Sequence, residues 1–220
     1  MTSSAERLTD SGRVITPFAT VGRYFEGLPV GWASFPGCAA RASLLGALRE
    51  RGALDALEAL PERLLPRVLL DHLAATSEWL PEVVHVATLL AVRDVRFAAG
   101  PRGDEDFHGW LTQLNRDLLD QPESSGAMTV ASSADYVPRL ASIWTMFHVG
   151  TPAVVVAHSP NRAALTVAHP AALFPALAIE SRRRALALAL VKQGAAQPNV
   201  AVATEFSGSE ARTVFDATWA

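Results

Sequence analysis

Histidine is the residue type in this chain best suited to bind a metal or move a proton, and the chain has six. His85 and His108 fall in predicted helices, where an imidazole could serve as the axial ligand of a haem iron. His148 and His169 flank a predicted hairpin and could approach one another. Because two imidazoles without a nearby carboxylate make a poor zinc site, we expect structural or hydrogen-bonding roles for all four and no metal site.

Nucleophilic chemistry has little support. Cys38 is the single cysteine, which excludes an internal disulfide and a cysteine cluster for zinc or iron–sulfur. It precedes a predicted helix, whose N-terminus could lower the pKa of the thiol, but a buried, inert cysteine is the favoured interpretation. The chain has no Gly-x-Ser-x-Gly elbow, Walker loop or dinucleotide fingerprint. We therefore expect no catalytic residues and no enzymatic activity.

The elements that would position these side chains are clearest between Gly150 and Trp219. Two hairpins flank an alanine- and leucine-rich helix expected at about 170–193. The hairpins consist of four apolar runs, with turn residues between the members of each pair: 151–158, 163–169, 199–206 and 211–219, with turns at 159–162 and 207–210. This ββαββ order predicts a four-stranded antiparallel sheet with one long helix.

Both hairpins also predict a register. With those turns, Val202 faces Phe215 in the second hairpin and Val156 faces Leu165 in the first. Both faces of the first hairpin are apolar, so we expect its strands to be central in the sheet.

The rest of the chain predicts mainly helices. Residues 1–12 are expected to form a disordered tail, and residues 13–220 a single α+β domain. In that domain a helical part, 13–149, packs on the ββαββ part, 150–220. Among the helices, one is expected over 39–51, one begins at Pro81, and one runs from Asp104 to about Asp120.

Three short segments carry a resemblance to known families: Tyr24–Gly27, Ile143–Thr151 and Ala168–Pro170. Together with the order of helices, then sheet and crossing helix, they make the chain resemble a myxobacterial paralogous family whose function is unknown. More distantly, the order resembles the haem–nitric-oxide-binding and 4-vinyl-reductase superfamily. That likeness implies a domain that binds haem or a small hydrophobic ligand, or a regulatory interaction domain. Haem itself is disfavoured because the chain lacks a Tyr-x-Ser-x-Arg motif for the propionates, so no cofactor is expected.

Composition limits the partners. The net charge of −3 argues against nucleic acid. No apolar run approaches the roughly 18 residues that a membrane span needs. The polar N-terminus lacks the apolar region of a signal peptide, so the cytoplasm is the expected location.

Two groups of residues are candidate binding surfaces. Arg182, Arg183 and Arg184 form a basic arc on the long helix, which could dock an acidic partner or lie free in solvent. Candidate walls of a ligand pocket between the helices and the sheet are Trp32, Trp110, Trp144, Phe147 and Phe174.

The resemblance and the absence of catalytic motifs lead to two candidate functions. The first is a non-enzymatic regulatory module in cytoplasmic signalling, with a protein partner and a homodimeric assembly. The alternative is a sensor of a small hydrophobic ligand. A pocket of about 300 Å³ or more would favour the sensor, and a filled core with an exposed apolar patch would favour the interaction module.

Overall fold

The computed structural model describes residues 7–8, 14–15, 18–51, 54–62, 78–97, 102–120 and 133–220. Its helices are α1 (Ala19–Glu26), α2 (Ala42–Glu50), α3 (Leu54–Glu58), α4 (Glu82–Arg96), α5 (Gly103–Asp120), α6 (Ser133–Tyr136), α7 (Leu140–Phe147) and α8 (Ala176–Lys192). Its strands are β1 (Arg7–Leu8), β2 (Val14–Ile15), β3 (Ala39–Arg41), β4 (Trp79–Pro81), β5 (His148–Val149), β6 (Ala153–Ser159), β7 (Arg162–Pro170), β8 (Asn199–Ser207) and β9 (Glu210–Thr218). The predicted α+β class is confirmed.

The C-terminal sheet has the predicted ββαββ order. Its strands lie in the order β6-β7-β9-β8, every pair is antiparallel, and α8 connects β7 to β8. The second hairpin has the predicted register, with Val202 opposite Phe215. Alternation along β9 buries Phe215 on the face that packs against the helices, and Leu165 and Val167 of β7 join it in the same cluster. β7 itself is buried on both faces over most of its length.

The first hairpin departs from its prediction in two ways. Val155, not Val156, faces Leu165, because the pairing shifts between Val155 and Ala157. The extra residue is a β-bulge, which a period-two pattern cannot reveal. Moreover, of the two strands expected to be central, β7 is central but β6 is an edge strand, and its Val154 and Val156 are 54% and 59% exposed.

A three-stranded sheet of order β4-β3-β5 joins distant parts of the chain. Ala40 pairs with Leu80 on one side and with His148 on the other. The helix predicted over 39–51 therefore begins later, at Ala42, because residues 39–41 are used in this sheet. The helices predicted to begin near Pro81 and Asp104 are α4 and α5, each within a residue of its expected start.

Two clusters of buried side chains form the interior. The first gathers the helices α1, α2, α4 and α5 around Leu90 and Phe107. The second lies between α8 and the four-stranded sheet, around Leu190 and Phe215. Trp144 packs against both clusters, so the helices and the sheet meet beside α7.

The N-terminal region bears on two further expectations. The predicted tail, 1–12, lies outside the described residues except for β1, which pairs with β2. None of the described helices combines the length and apolar character needed to cross a membrane.

Candidate ligand-binding site

A fully buried carboxylate, Glu82, is the most unusual feature of the interior. It is the first residue of α4, and its side chain is 0% exposed. Its oxygens accept hydrogen bonds from Arg182 Nη2 at 2.8 Å and from His148 Nδ1 at 2.9 Å, and they contact His85 Nδ1 at 3.3 Å. An ion buried so deeply is tolerated only with compensating charge and hydrogen bonds, which these three side chains supply.

Four elements bring these side chains together. The small sheet places β5 and β4 on either side of β3, which brings His148 close to Glu82 although 66 residues separate them. His85 follows Glu82 by one helical turn on α4, so it lies on the same face. Arg182 comes from α8 and reaches Glu82 across 100 residues of sequence.

Electrostatics fix the charge state of the cluster. Burial would raise the pKa of Glu82, but the charge of His148, the hydrogen bonds from His148 and His85, and the charge of Arg182 together hold that pKa well below its usual range. Burial lowers the pKa of His148, against the opposing effect of Glu82. At neutral pH, above the lowered pKa of His148, we therefore assign an ion pair between Glu82 and Arg182, with an uncharged His148 donating its Nδ1 proton to the carboxylate. The charge of His148 acts on Glu82 only in acid, where the imidazole is protonated.

Aromatic rings cover the other side of Arg182. Its guanidinium carbon lies 3.9 Å from the ring centroid of Phe174 and 5.9 Å from that of Trp144, as in cation–π contacts. Trp144 stacks on His148 with 4.3 Å between ring centroids, and its indole N–H donates to the carbonyl of Thr151 at 2.8 Å. The cluster is therefore held rigidly by rings as well as by charge.

A cavity of about 180 Å³ borders this cluster, between the helices and the four-stranded sheet. His85, His148 and Arg182 line it together with side chains that are mostly apolar. The apolar walls come from six helices and the sheet: Leu44, Leu48, Leu89, Leu111, Leu114, Leu118, Leu119, Tyr136, Leu140, Ile143, Trp144, Phe147, Leu165, Ala185, Leu186, Ala189 and Phe215. Asn115 and Ser181 complete the lining. The arrangement can hold a small apolar molecule and offer it hydrogen bonds.

The predicted pocket walls separate into two groups. Trp144 and Phe147 line the cavity, and Phe174 lies behind Arg182 as its cation–π partner. Trp110 instead packs against Phe97 and Phe107 in the first cluster, and it is not among the described lining residues. Trp32 is 36% exposed in a short 3₁₀ segment, Gly31–Ala33, away from the cavity lining.

The predicted basic arc is also divided. Arg183 and Arg184 are partly exposed, and both bind the carboxylate of Glu180 on the same helix. The side chain of Arg182 is only 9% exposed and is paired with Glu82, so it cannot belong to a surface arc. The reason is the period of the helix: the side chain of Arg182 points inward, whereas those of Arg183 and Arg184, which follow it, point toward solvent.

Sequence reasoning missed Glu82 and Asn115 altogether. Glu82 follows Pro81 at a helix start, where an acidic residue is ordinary because of the helix dipole, so nothing in the sequence marks it as buried. His85 and His148 were expected to have hydrogen-bonding or structural roles, and both do bind Glu82. Their position in the wall of a cavity was not predicted.

Comparison with known proteins gives a distant likeness. No family model matches the chain, and neither does any curated protein. A solved structure described as concerning modulation of haem redox potential through protein-induced porphyrin distortion is similar, with 6% identity, a TM-score of 0.48 and coverage of 81% of this chain and 99% of that chain. An Fe(II) unliganded H-NOX protein mutant from K. algicida is also similar, with 9% identity, a TM-score of 0.39 and coverage of 81% and 96%. The myxobacterial family stays a prediction.

The residues present do not fit haem. A cavity of about 180 Å³ is close in size to one that holds benzene, a single six-membered ring. Haem contains four linked pyrrole rings and is too large for it. We therefore derive no chemistry through iron at this site.

The buried histidines predict acid sensitivity. Burial lowers the pKa of His108, His148 and His169 below the ordinary 6.5, so below that pH the unfolded chain binds more protons than the folded chain. The free energy of unfolding is therefore expected to fall as the pH drops below about 6.5. A second fall in the free energy of unfolding is expected below pH 4.5, where Glu82 becomes protonated in the unfolded chain but stays ionised in the folded chain. Thermal melting between pH 8 and pH 4 measures both, and a flat profile would contradict the assignment.

Proposed function

We propose that this chain is a sensor domain that binds a small, mainly apolar molecule in the cavity between its helices and its four-stranded sheet. The observation that carries the proposal is the cavity itself, about 180 Å³ in volume and bordered by the buried Glu82 cluster. Closely packed interiors seldom keep voids much larger than a water molecule, so a cavity of this size needs an explanation. A bound ligand is the simplest one.

The volume limits the ligand to about one ring. A cavity of about 150 Å³ lined by leucine, isoleucine and phenylalanine stays dry and binds benzene. The present cavity is slightly larger, and it falls below the 300 Å³ typical of sites for drug-sized molecules. The proposed ligand is therefore a compact molecule, smaller than the one that the sequence led us to expect.

The position of the cavity supports a sensing role. Its walls include Leu111 and Leu114 from the first cluster and Leu186 and Phe215 from the second. A molecule that fills it would pack against both clusters and add contacts between the helices and the sheet. Because α8 supplies both part of the cavity wall and Arg182, a bound molecule that shifts α8 would also change the geometry of the ion pair between Arg182 and Glu82. Binding would thus stabilise one relative arrangement of helices and sheet.

Filling the cavity tests the proposal. Ala185 lines the cavity from α8, so Ala185→Leu is expected to occupy ligand space at a cost of about 1–3 kcal/mol at most from overpacking. Benzene should raise the melting temperature of the natural chain in a concentration-dependent way, and at 100 times its Kd it should add about 2.7 kcal/mol to the free energy of unfolding. It should have little effect on Ala185→Leu. Tryptophan fluorescence, to which Trp144 in the cavity wall contributes, is a second readout.

The matched control is Ala176→Leu, the same substitution at an exposed position of the same helix. This variant should respond to benzene as the natural chain does. If benzene stabilises neither the natural chain nor the control, or stabilises Ala185→Leu equally, the proposed site is wrong.

The regulatory role with a protein partner, the homodimer and the cytoplasmic location stay predictions. Arg183 and Arg184 are the members of the predicted arc that a partner could reach. The exposed Val154 and Val156 on the edge strand β6 offer an apolar surface for such a contact.

A further inference from the structure

Two buried hydrogen-bond donors in the cavity lining have no partner among the described residues. They are Nε of Arg182, on α8, and Nδ2 of Asn115, on α5. Buried N–H groups are almost always paired, because leaving one unpaired forfeits the hydrogen bond it would make with water. Two such groups in the wall of one cavity point to an acceptor that enters the cavity.

The remaining hydrogen-bonding groups of Arg182 identify Nε as the free one. Its Nη2 donates to Glu82 at 2.8 Å, and its Nη1 donates to the carbonyl of Ala178 at 2.9 Å. The side chain is 9% exposed and is covered by the ring of Phe174, so solvent does not readily satisfy Nε. The guanidinium is fixed in place while one donor stays available.

Charge decides what kind of acceptor fits. The carboxylate of Glu82 already balances the positive charge of Arg182, and the Asn115 amide is neutral. A ligand carboxylate would bring a second negative charge into this apolar interior, with no second arginine or lysine among the described lining residues to balance it. An uncharged oxygen would satisfy the donors without that penalty.

We infer that the ligand of the proposed site is an uncharged, mainly apolar molecule with one accepting oxygen, a ketone, aldehyde or ester, which receives the N–H groups of Arg182 and Asn115. This inference rests on the proposed function, because it assigns a chemical class to the ligand of the same cavity. It makes Arg182 both a structural partner of Glu82 and a residue that selects the ligand.

Three probes of nearly equal shape test the class: acetophenone, ethylbenzene and benzoate. Titration of the full chain, followed by tryptophan fluorescence, to which Trp144 in the cavity wall contributes, and by the shift in melting temperature, gives a Kd for each. Acetophenone is expected to bind about tenfold more tightly than ethylbenzene, the effect of a net hydrogen-bond contribution of about 1.4 kcal/mol to the buried donors. Benzoate is expected to bind most weakly of the three.

Two variants remove one donor each. Asn115→Leu keeps the side-chain size and removes the amide, and Arg182→Lys keeps a positive charge beside Glu82 and removes Nε. Either change should reduce the tenfold preference for acetophenone to threefold or less. Gln113→Leu is the matched control, because it removes an exposed amide from the same helix and should leave the preference unchanged. Asn115→Leu alone keeps the inference testable if Arg182→Lys does not fold.

The outcomes separate the inference from the proposed function. Equal binding of ethylbenzene and acetophenone would overturn the accepting oxygen while leaving an apolar ligand site in place. Tightest binding of benzoate would overturn the uncharged class. A preference that persists in both variants would overturn the assignment of the two donors. Binding of none of the probes, and of no benzene, would overturn the proposed function and this inference together.

Discussion

Replacing Glu82 by glutamine is expected to lower the free energy of unfolding by about 3–5 kcal/mol, because it leaves Arg182 buried without its counter-ion. Glutamine keeps the size of the side chain, so the loss reports charge and hydrogen bonding rather than a cavity. The variant also exchanges an acceptor for an amide beside His148 and His85, which both contact the Glu82 carboxylate. Urea unfolding followed by circular dichroism measures the change in the free energy of unfolding, as a lower urea midpoint with an unchanged dependence on urea concentration.

Glu180→Gln is the matched control for this prediction. Glu180 pairs with Arg183 and Arg184 on α8, and hydrogen bonding to these arginines lowers its pKa to about 2. Its side chain is nevertheless 28% exposed, and a pair of this kind contributes only about 0–1 kcal/mol. If Glu82→Gln and Glu180→Gln lower the free energy of unfolding by similar amounts, the buried Glu82–Arg182 pair does not contribute the stability that we assign to it.

Replacing Gly150 by alanine is expected to be the second most damaging single change. Gly150 has φ +76°, and a Cβ there would lie 2.0 Å from the carbonyl oxygen of Gly37 and 2.9 Å from Cα of Cys38. The backbone conformation alone costs about 1–3 kcal/mol, and the clash with backbone adds to it because neither neighbour can rotate away. Since Gly150 directly follows β5, we also expect the pairing that places His148 beside Glu82 to loosen.

Gly208→Ala separates the two contributions. Gly208 lies in the turn between β8 and β9 with φ +62°, and a Cβ there meets no atom within 4 Å. This variant should therefore show the conformational cost without the clash, and it should lose clearly less stability than Gly150→Ala. Equal losses, measured by thermal and urea unfolding, would mean that the close approach to Gly37 does not matter.

The hairpins show how far local pattern reaches. The second hairpin has an unbroken alternation and a short turn, so its register follows from sequence alone, and the structure has that register. The first hairpin contains a bulge at Val156 that shifts the pairing by one residue. A bulge is set by how a strand must twist to fit its neighbours, and this is not encoded in a period-two pattern.

The site was less accessible to prediction. Trp144 and Phe147, two of the five predicted pocket walls, lie in the cavity lining, where large aromatic side chains pack between helices and a sheet. Arg182 was placed on the surface because three consecutive arginines normally face solvent. Its burial depends on a counter-ion 100 residues away, and only the packed structure supplies that ion.

The sequence by itself determined the α+β class, the ββαββ order and the turns, because apolar periodicity and turn residues act over a few neighbouring positions. The tertiary structure alone decided three things. These are the strand order that puts β6 at an edge, the small sheet that joins Glu82 to His148, and the cavity beside them. Each depends on contacts between residues far apart in the chain, whose geometry follows from the packing of whole elements rather than from local preference.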